Sequence, residues 1–234
     1  MIFRISKSEA CAKRVDYLKR GFIFYMCASC MLLVQFVLYL VNSNYFEYLN
    51  ISGGFYYLLA ALGQAFLFTL IPWVIFYLPF TFWRRVQKVG TVLFVTAIFL
   101  LNVVAYLNGI VFQLYKFHIN GFVLELAFGG GGSQVFVFNN TLVLHAVLIG
   151  LVILFLTLAV TYIAFRYYRR VNGKQVRIGI CLFLFSCIVP QLTHAYAAAA
   201  NISSITEVSA CLPQYYPLTA NKLMLKLGVI KKED

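Results

Sequence analysis

The sequence predicts an all-α protein with five transmembrane helices. Hydrophobic residues make up 62% of the 234-residue chain and charged residues only 11%, whereas soluble domains carry about 25% charged residues. Five apolar runs are each long enough to span a bilayer, which takes about 20 residues of helix because lipid offers no partner to backbone N–H and C=O groups. These runs are Gly21–Val41, Phe55–Phe82, Val89–Phe112, Thr141–Ile163 and Arg177–Ala200.

The first run is expected to stay in the mature protein. It exceeds the apolar stretch of about 7–15 residues that is typical of a signal peptide, and no small-residue cleavage pattern follows it. The preceding segment, 6–20, has the pattern of a basic amphipathic helix. Such a helix binds anionic lipid headgroups or acts simply as a topology anchor. We therefore divide the chain into a basic cytoplasmic segment (1–20), a membrane domain (21–200) and a juxtamembrane linker (201–234).

The charge distribution predicts the orientation in the membrane. The net charge is +12, and fourteen of the nineteen basic residues lie before the first run, between the second and third, or between the fourth and fifth, when Arg177 at the very start of the fifth run is counted with the last segment. In a five-span topology these three segments share one side, which the positive-inside rule makes cytoplasmic. The N-terminus is thus predicted inside and the C-terminus outside. Because this placement accounts for the charge, a nucleic-acid partner is not expected.

Features inside the runs predict packing rather than transport. Pro72 and Pro190 are expected to kink the second and fifth helices. No Asp, Glu or Lys lies in any run, which argues against an ion-coupled transporter. Polar residues within or near the runs are expected to form hydrogen bonds between helices, although the two histidines among them could sense pH or phosphate near the outer surface. They are Gln35, Gln64, Asn102, His145, Gln191 and His194, and small residues that allow close helix approach are Ala60, Ala61, Gly63 and Ala65.

No catalytic or metal site is predicted. The aspartates are Asp16 and Asp234, near opposite ends of the chain, so a two-metal hydrolase site cannot be assembled from them. The C-x-x-C pair at Cys27 and Cys30 lies within an apolar run, where packing is the better interpretation. We expect neither enzymatic activity nor a cofactor.

The tail has the most specific local pattern. Two prolines make Cys211–Leu218 extended, and Thr219 then caps a short predicted helix, Ala220–Leu227. Its first turn combines free backbone N–H groups, the Thr219 hydroxyl and Lys222, which together attract phosphate. The alternative interpretation is an ordinary juxtamembrane helix.

The tail resembles the YejM/PbgA (LapC) family of sulfatase-like inner-membrane proteins of Gram-negative bacteria. The segment Tyr216-Pro217-Leu218-Thr219-Ala220-Asn221-Lys222, preceded by His194-x-Tyr196, carries the resemblance. The stretch Tyr115-Lys116-Phe117-His118-Ile119-Asn120 is similar to a motif after the third span of that family. The resemblance covers the family's amino-terminal membrane domain.

This resemblance implies a regulatory function in the bacterial inner membrane. Such proteins sense lipopolysaccharide on the periplasmic leaflet and signal through LapB and the protease FtsH to control LpxC and lipid A synthesis. The implied lipid-binding residues are Thr219, Ala220, Asn221 and Lys222. The family's arginine pair stands here as Asn221-Lys222, and lysine lacks the bidentate fork of arginine.

Alternative functions are a membrane anchor and a small transporter or channel subunit. Related proteins continue into a periplasmic domain of the sulfatase or alkaline-phosphatase type, which we expect to be missing from this chain. The anchor would then serve a sulfatase-like, phosphatase-like or phosphoethanolamine-transferase-like protein. The expected partners are a phosphorylated lipid, either lipid A or an anionic phospholipid, and a membrane protein such as LapB.

Overall fold

The described part of the computed structural model is helical and contains no strand; it covers residues 7–47, 49–128, 140–220, 224 and 226. Five long helices are joined by short turns and by two shorter helices. We number them α1 (Lys7–Val41), α2 (Ile51–Pro72), α3 (Gln87–Tyr115), α4 (Gly121–Phe128), α5 (Asn140–Tyr167), α6 (Gly173–Ala199) and α7 (Ser203–Thr206).

The predicted all-α class and the five candidate spans are confirmed within these described ranges. Five helical stretches are long and apolar enough to cross a membrane, which indicates a multi-pass membrane protein. Most begin or end several residues beyond the predicted runs, because helices continue into the polar residues at their ends. The stretches are Cys11–Val41, Ile51–Thr81, Gln87–Tyr115, Val143–Arg170 and Gly173–Ala199. The inside position of the N-terminus stays a prediction.

The basic amino-terminal segment and the first span form one helix. α1 runs without a break past Gly21, where the change in composition suggested a boundary between 1–20 and the membrane domain. Gly21 packs against the Tyr77 ring, and a Cβ atom there would overlap the ring. Glycine at this position thus permits a close approach and does not end the helix.

The second span changes its helical geometry at the predicted proline. α2 ends at Pro72, a π-helix follows over Trp73–Tyr77, and a 3-10 turn covers Leu78–Thr81. Proline lacks the N–H that continues the α-helical ladder, which explains the change. Pro190, by contrast, lies inside α6, which stays α-helical on both sides of it.

The chain divides into two compact units. The first comprises Met1–Met31, Phe66–Val104 and Thr141–Cys181. Its core is largely aromatic: the rings of Tyr17 and Tyr77 stack with centroids 4.1 Å apart, and the Tyr77 hydroxyl donates to the backbone oxygen of Tyr17 at 2.7 Å. These contacts join α1 to the π-helical segment.

The second unit comprises Leu32–Ala65, Ala105–Asn140 and Leu182–Asp234. Here Gly63 of α2 lies close to α6, which agrees with the close helix approach that the small residues of α2 predicted. A Cβ atom at Gly63 would overlap the backbone oxygen of Ser186 and lie 2.8 Å from its carbonyl carbon. The Tyr57 hydroxyl donates to the backbone oxygen of Phe36 at 2.6 Å, which ties α2 to α1.

Candidate lipid-binding site

The segment that leads to the candidate site packs against the second unit. Cys211 and Leu212 are buried, and the Cys211 thiol lies 3.5 Å from the Ser43 hydroxyl. Burial raises the pKa of the Cys211 thiol, although its hydrogen bond to Ser43 opposes the shift. The Gln64 side chain donates to the backbone oxygen of Pro213 at 2.9 Å. The tail is therefore attached to α2 before it reaches Thr219.

Two polar side chains of α6 hold both backbone polar groups of Leu218. The Gln191 amide oxygen accepts a hydrogen bond from the Leu218 N–H at 2.7 Å. His194 Nδ1 lies 3.1 Å from the Leu218 oxygen, so Nδ1 carries the proton that it donates to this carbonyl. Gln191 and His194 stand three residues apart and so share one face of the helix. We call this pair the Leu218 clamp.

The predicted site residues follow the clamp directly. Thr219 is exposed and Ala220 is half-buried, whereas Asn221 and Lys222 lie outside the described residues. The Met224 N–H donates to the Ala220 oxygen at 2.9 Å, and Met224 and Lys226 have helical geometry. The remainder of the predicted helix Ala220–Leu227 is not described.

The loop motif that carried part of the resemblance contacts the same tail. His118 lies between the Asn108 amide nitrogen, 3.0 Å from Nδ1, and the Ala210 backbone oxygen, 3.1 Å from Nε2. Nε2 therefore donates and Nδ1 accepts, which is the arrangement of a neutral imidazole. The ring also stacks on Phe112 with centroids 4.4 Å apart. His118 thus connects the loop after α3 to the start of the tail.

Burial lowers the pKa of His118 below its ordinary value of 6.5, although hydrogen bonds to the backbone of Ala210 and Cys211 oppose part of this shift. The Asn108 oxygen is occupied by the Ile119 N–H at 2.7 Å. Rotation of the Asn108 amide to accept a proton from His118 would break that bond. The network as a whole favours neutral His118.

The structure changes the interpretation of the polar residues in the spans. We expected bonds between helices, but Gln64, Gln191 and His194 bind the tail instead. Asn102 donates to Ile98 in its own helix at 2.9 Å, and His145 is exposed. The helical repeat predicts which residues share a face. It does not predict which later segment of the chain packs against that face. For the same reason the sequence did not single out Asn108, whose partners His118 and Ile119 lie in the loop after α3.

No group of three His, Cys, Asp or Glu side chains that could hold a metal ion occurs in the described ranges. The described part of the candidate site instead offers the Thr219 hydroxyl and the backbone groups of Thr219 and Ala220, next to the clamp on α6. This arrangement can bind an anionic or hydrogen-bond-accepting headgroup.

The fold and the anchored tail define a membrane domain of five candidate spans. Residues 11–234 match the family described as "Domain of unknown function (DUF3413)". The chain belongs to this family. No curated protein matches the chain.

Proposed function

We propose that this chain is the membrane domain of a lipid-binding regulatory protein of the bacterial inner membrane. Its ligand is the phosphorylated headgroup of lipid A, or of another anionic lipid, bound by Thr219, Ala220, Asn221 and Lys222. The Leu218 clamp carries this proposal, because it fixes the backbone immediately before Thr219. A preformed backbone loses less conformational entropy when it binds a ligand.

Electrostatics and geometry support a phosphate ligand at this position. Free N–H groups at a helix start and a neighbouring hydroxyl donate to phosphate oxygens, and a lysine supplies opposite charge. Thr219 is exposed and follows the end of a candidate span by way of an attached segment. The headgroup region of a bilayer is therefore the environment that it is expected to meet.

The family match supports a function related to that of YejM-like proteins, in whose N-terminal region this domain is known. On this proposal the lipid-bound state is passed through LapB and FtsH to LpxC, so that lipid A synthesis follows lipopolysaccharide abundance. Because an attached tail moves with α6 and α2, occupancy of the site can change the packing of the spans. The chain itself performs no catalysis in this account.

The alternative function is a membrane anchor for a sulfatase-like, phosphatase-like or phosphoethanolamine-transferase-like domain. The Leu218 clamp also favours the anchoring function, because a tail held by two side chains of α6 would fix the orientation of a domain joined to it. An anchor without a sensing function need not bind lipid A at Thr219–Lys222, so lipid binding distinguishes the two functions.

The test compares binding of lipid A to the full chain in nanodiscs. Replacing Lys222 by alanine removes a charge-assisted hydrogen bond and is expected to weaken binding about tenfold. Lys226→Ala is the matched control, because it removes the same charge from an exposed position further along the tail. Equal affinity of wild type and Lys222→Ala, or equal weakening by both substitutions, would overturn the proposal.

A further inference from the structure

A second cationic site lies in the first unit, where aromatic rings hold an arginine. The Arg20 guanidinium carbon of α1 lies 4.3 Å from the centroid of the Tyr168 ring and 5.0 Å from that of Phe165. Stacking on ring faces orients the guanidinium, and Arg20 also forms a side-chain hydrogen bond with Tyr168.

A second guanidinium converges on the same tyrosine. Arg169 Nε donates to the Tyr168 hydroxyl at 3.2 Å, and its guanidinium carbon lies 5.7 Å from the ring centroid. A phenol is neutral and offsets neither charge. Asp16, one turn before Arg20 on α1, interacts electrostatically with Arg169. Two guanidiniums thus meet at one neutral ring.

Within the described residues, the buried Nε of Arg20 has no hydrogen-bond partner. A buried donor without a partner costs free energy, and a bound anion would supply an acceptor. The aromatic rings cannot do so in the plane of the guanidinium. Arg20 is therefore the group of this site that gains most from a ligand.

An apolar groove begins at Arg20. It is narrow, and its walls include Phe24, Tyr77, Phe94 and Phe165. A cationic group at one end of a groove lined with aromatic rings matches an amphiphile with a charged head and an apolar chain. Arg20 and Arg169 lie near the basic ends of two candidate spans. Long cationic side chains at such positions reach the headgroup level of a bilayer.

We propose that Arg20, Tyr168 and Arg169 bind the phosphodiester of an anionic phospholipid, with an acyl chain along the groove. The charge distribution predicts that this lipid belongs to the cytoplasmic leaflet. Arg20 and Arg169 contact the phosphate oxygens, and Tyr168 positions both guanidiniums. The site is separate from Thr219–Lys222, which belongs to the second unit, and it does not depend on the proposed function.

The experiment measures retention of phosphatidylglycerol by the full chain in nanodiscs of phosphatidylcholine doped with phosphatidylglycerol. Arg20→Gln keeps most of the side-chain length without the charge, and it is expected to lower retention about tenfold. Arg169→Gln tests the same site at an exposed position and is expected to lower retention by a similar factor. Tyr168→Phe keeps the ring and is expected to lower retention by a smaller factor.

Arg14→Gln is the control, since Arg14 is exposed on the same helix. Wild-type retention in Arg20→Gln and Arg169→Gln, or an equal fall in Arg14→Gln, would overturn the proposal. A further arm adds glycerol 3-phosphate, which has the charged group without acyl chains. Displacement at the same concentration as the intact lipid would show an anion site without a lipid groove, and would also overturn it.

Discussion

The amide oxygen of Gln191 accepts a hydrogen bond of 2.7 Å from the backbone N–H of Leu218. His194, one turn further along α6, binds the carbonyl of the same residue. The direction in which the chain enters Thr219 is therefore set by α6 and not by the local preferences of the tail. This attachment makes the candidate lipid-binding segment part of the membrane domain.

Replacing Gln191 by leucine is expected to loosen this segment. The Leu218 N–H loses its acceptor, at a cost of about 0.5–1.5 kcal/mol because water can replace it in part. Amide hydrogen exchange in residues 214–220 should become faster, and lipid A should bind several-fold more weakly. Thr193→Val is the control, because the Thr193 hydroxyl donates to Val189 within its own helix. Unchanged exchange in Gln191→Leu would show that the clamp does not hold the tail.

Acidification is expected to weaken the contact between the loop and the tail through His118. Its pKa is lowered below 6.5 in the folded protein, so the unfolded chain binds this proton more readily. The contribution of His118 to stability is therefore unchanged above pH 6.5 and falls as the pH drops below that value. Thermal unfolding in detergent, measured across this range, tests the effect.

The matched variants for this titration are His118→Asn and His145→Asn. The first is expected to have a smaller loss of melting temperature on acidification than wild type. The second changes an exposed histidine of α5 and should follow the wild-type profile. Identical profiles for wild type and His118→Asn would contradict the predicted linkage.

Gly63→Ala is expected to destabilise the protein, because the added methyl group meets the backbone of Ser186 and cannot be accommodated by a side-chain movement. We expect a loss of about 1–3 kcal/mol. Gly150→Ala is the comparison: a Cβ atom at Gly150 has no neighbour within 4 Å, and alanine favours the helix by about 0.5–1 kcal/mol. Melting temperatures of the two variants in one detergent should therefore move in opposite directions.

The orientation in the membrane is tested by reporter fusions. Alkaline phosphatase, which is active only after export, should be active when it is joined after Asp234 and inactive after Asn172. The reason is the predicted bias of basic residues toward the cytoplasmic side. The reverse pattern would place the candidate lipid site on the other leaflet.

The sequence predicted the five spans because the length of an apolar run is itself the physical requirement for crossing a bilayer. It also indicated the close approach at Gly63 and the change of helix at Pro72, since both follow from local covalent chemistry. The continuation of α1 past Gly21 was harder to predict from the sequence. Composition changes there, but no helix-stopping residue is present.

The contacts that build the site were not predictable in the same way. Gln191 and Leu218 are 27 residues apart in the chain, and Arg20 meets Tyr168 across a far longer separation. Helical periodicity states which residues share a face, but the segment that covers the face depends on tertiary packing. For His118, the resemblance of the loop drew attention to the residue, while its contact with Ala210 came only from the structure.

The most direct test of the central claim is a cryo-electron microscopy map of the full chain in nanodiscs that contain lipid A. We predict density for a lipid A phosphate within hydrogen-bonding distance of the backbone nitrogens of Thr219 and Ala220, next to an intact Leu218 clamp. Lipid A ordered elsewhere on the protein, with Thr219 facing disordered bilayer, would contradict the account.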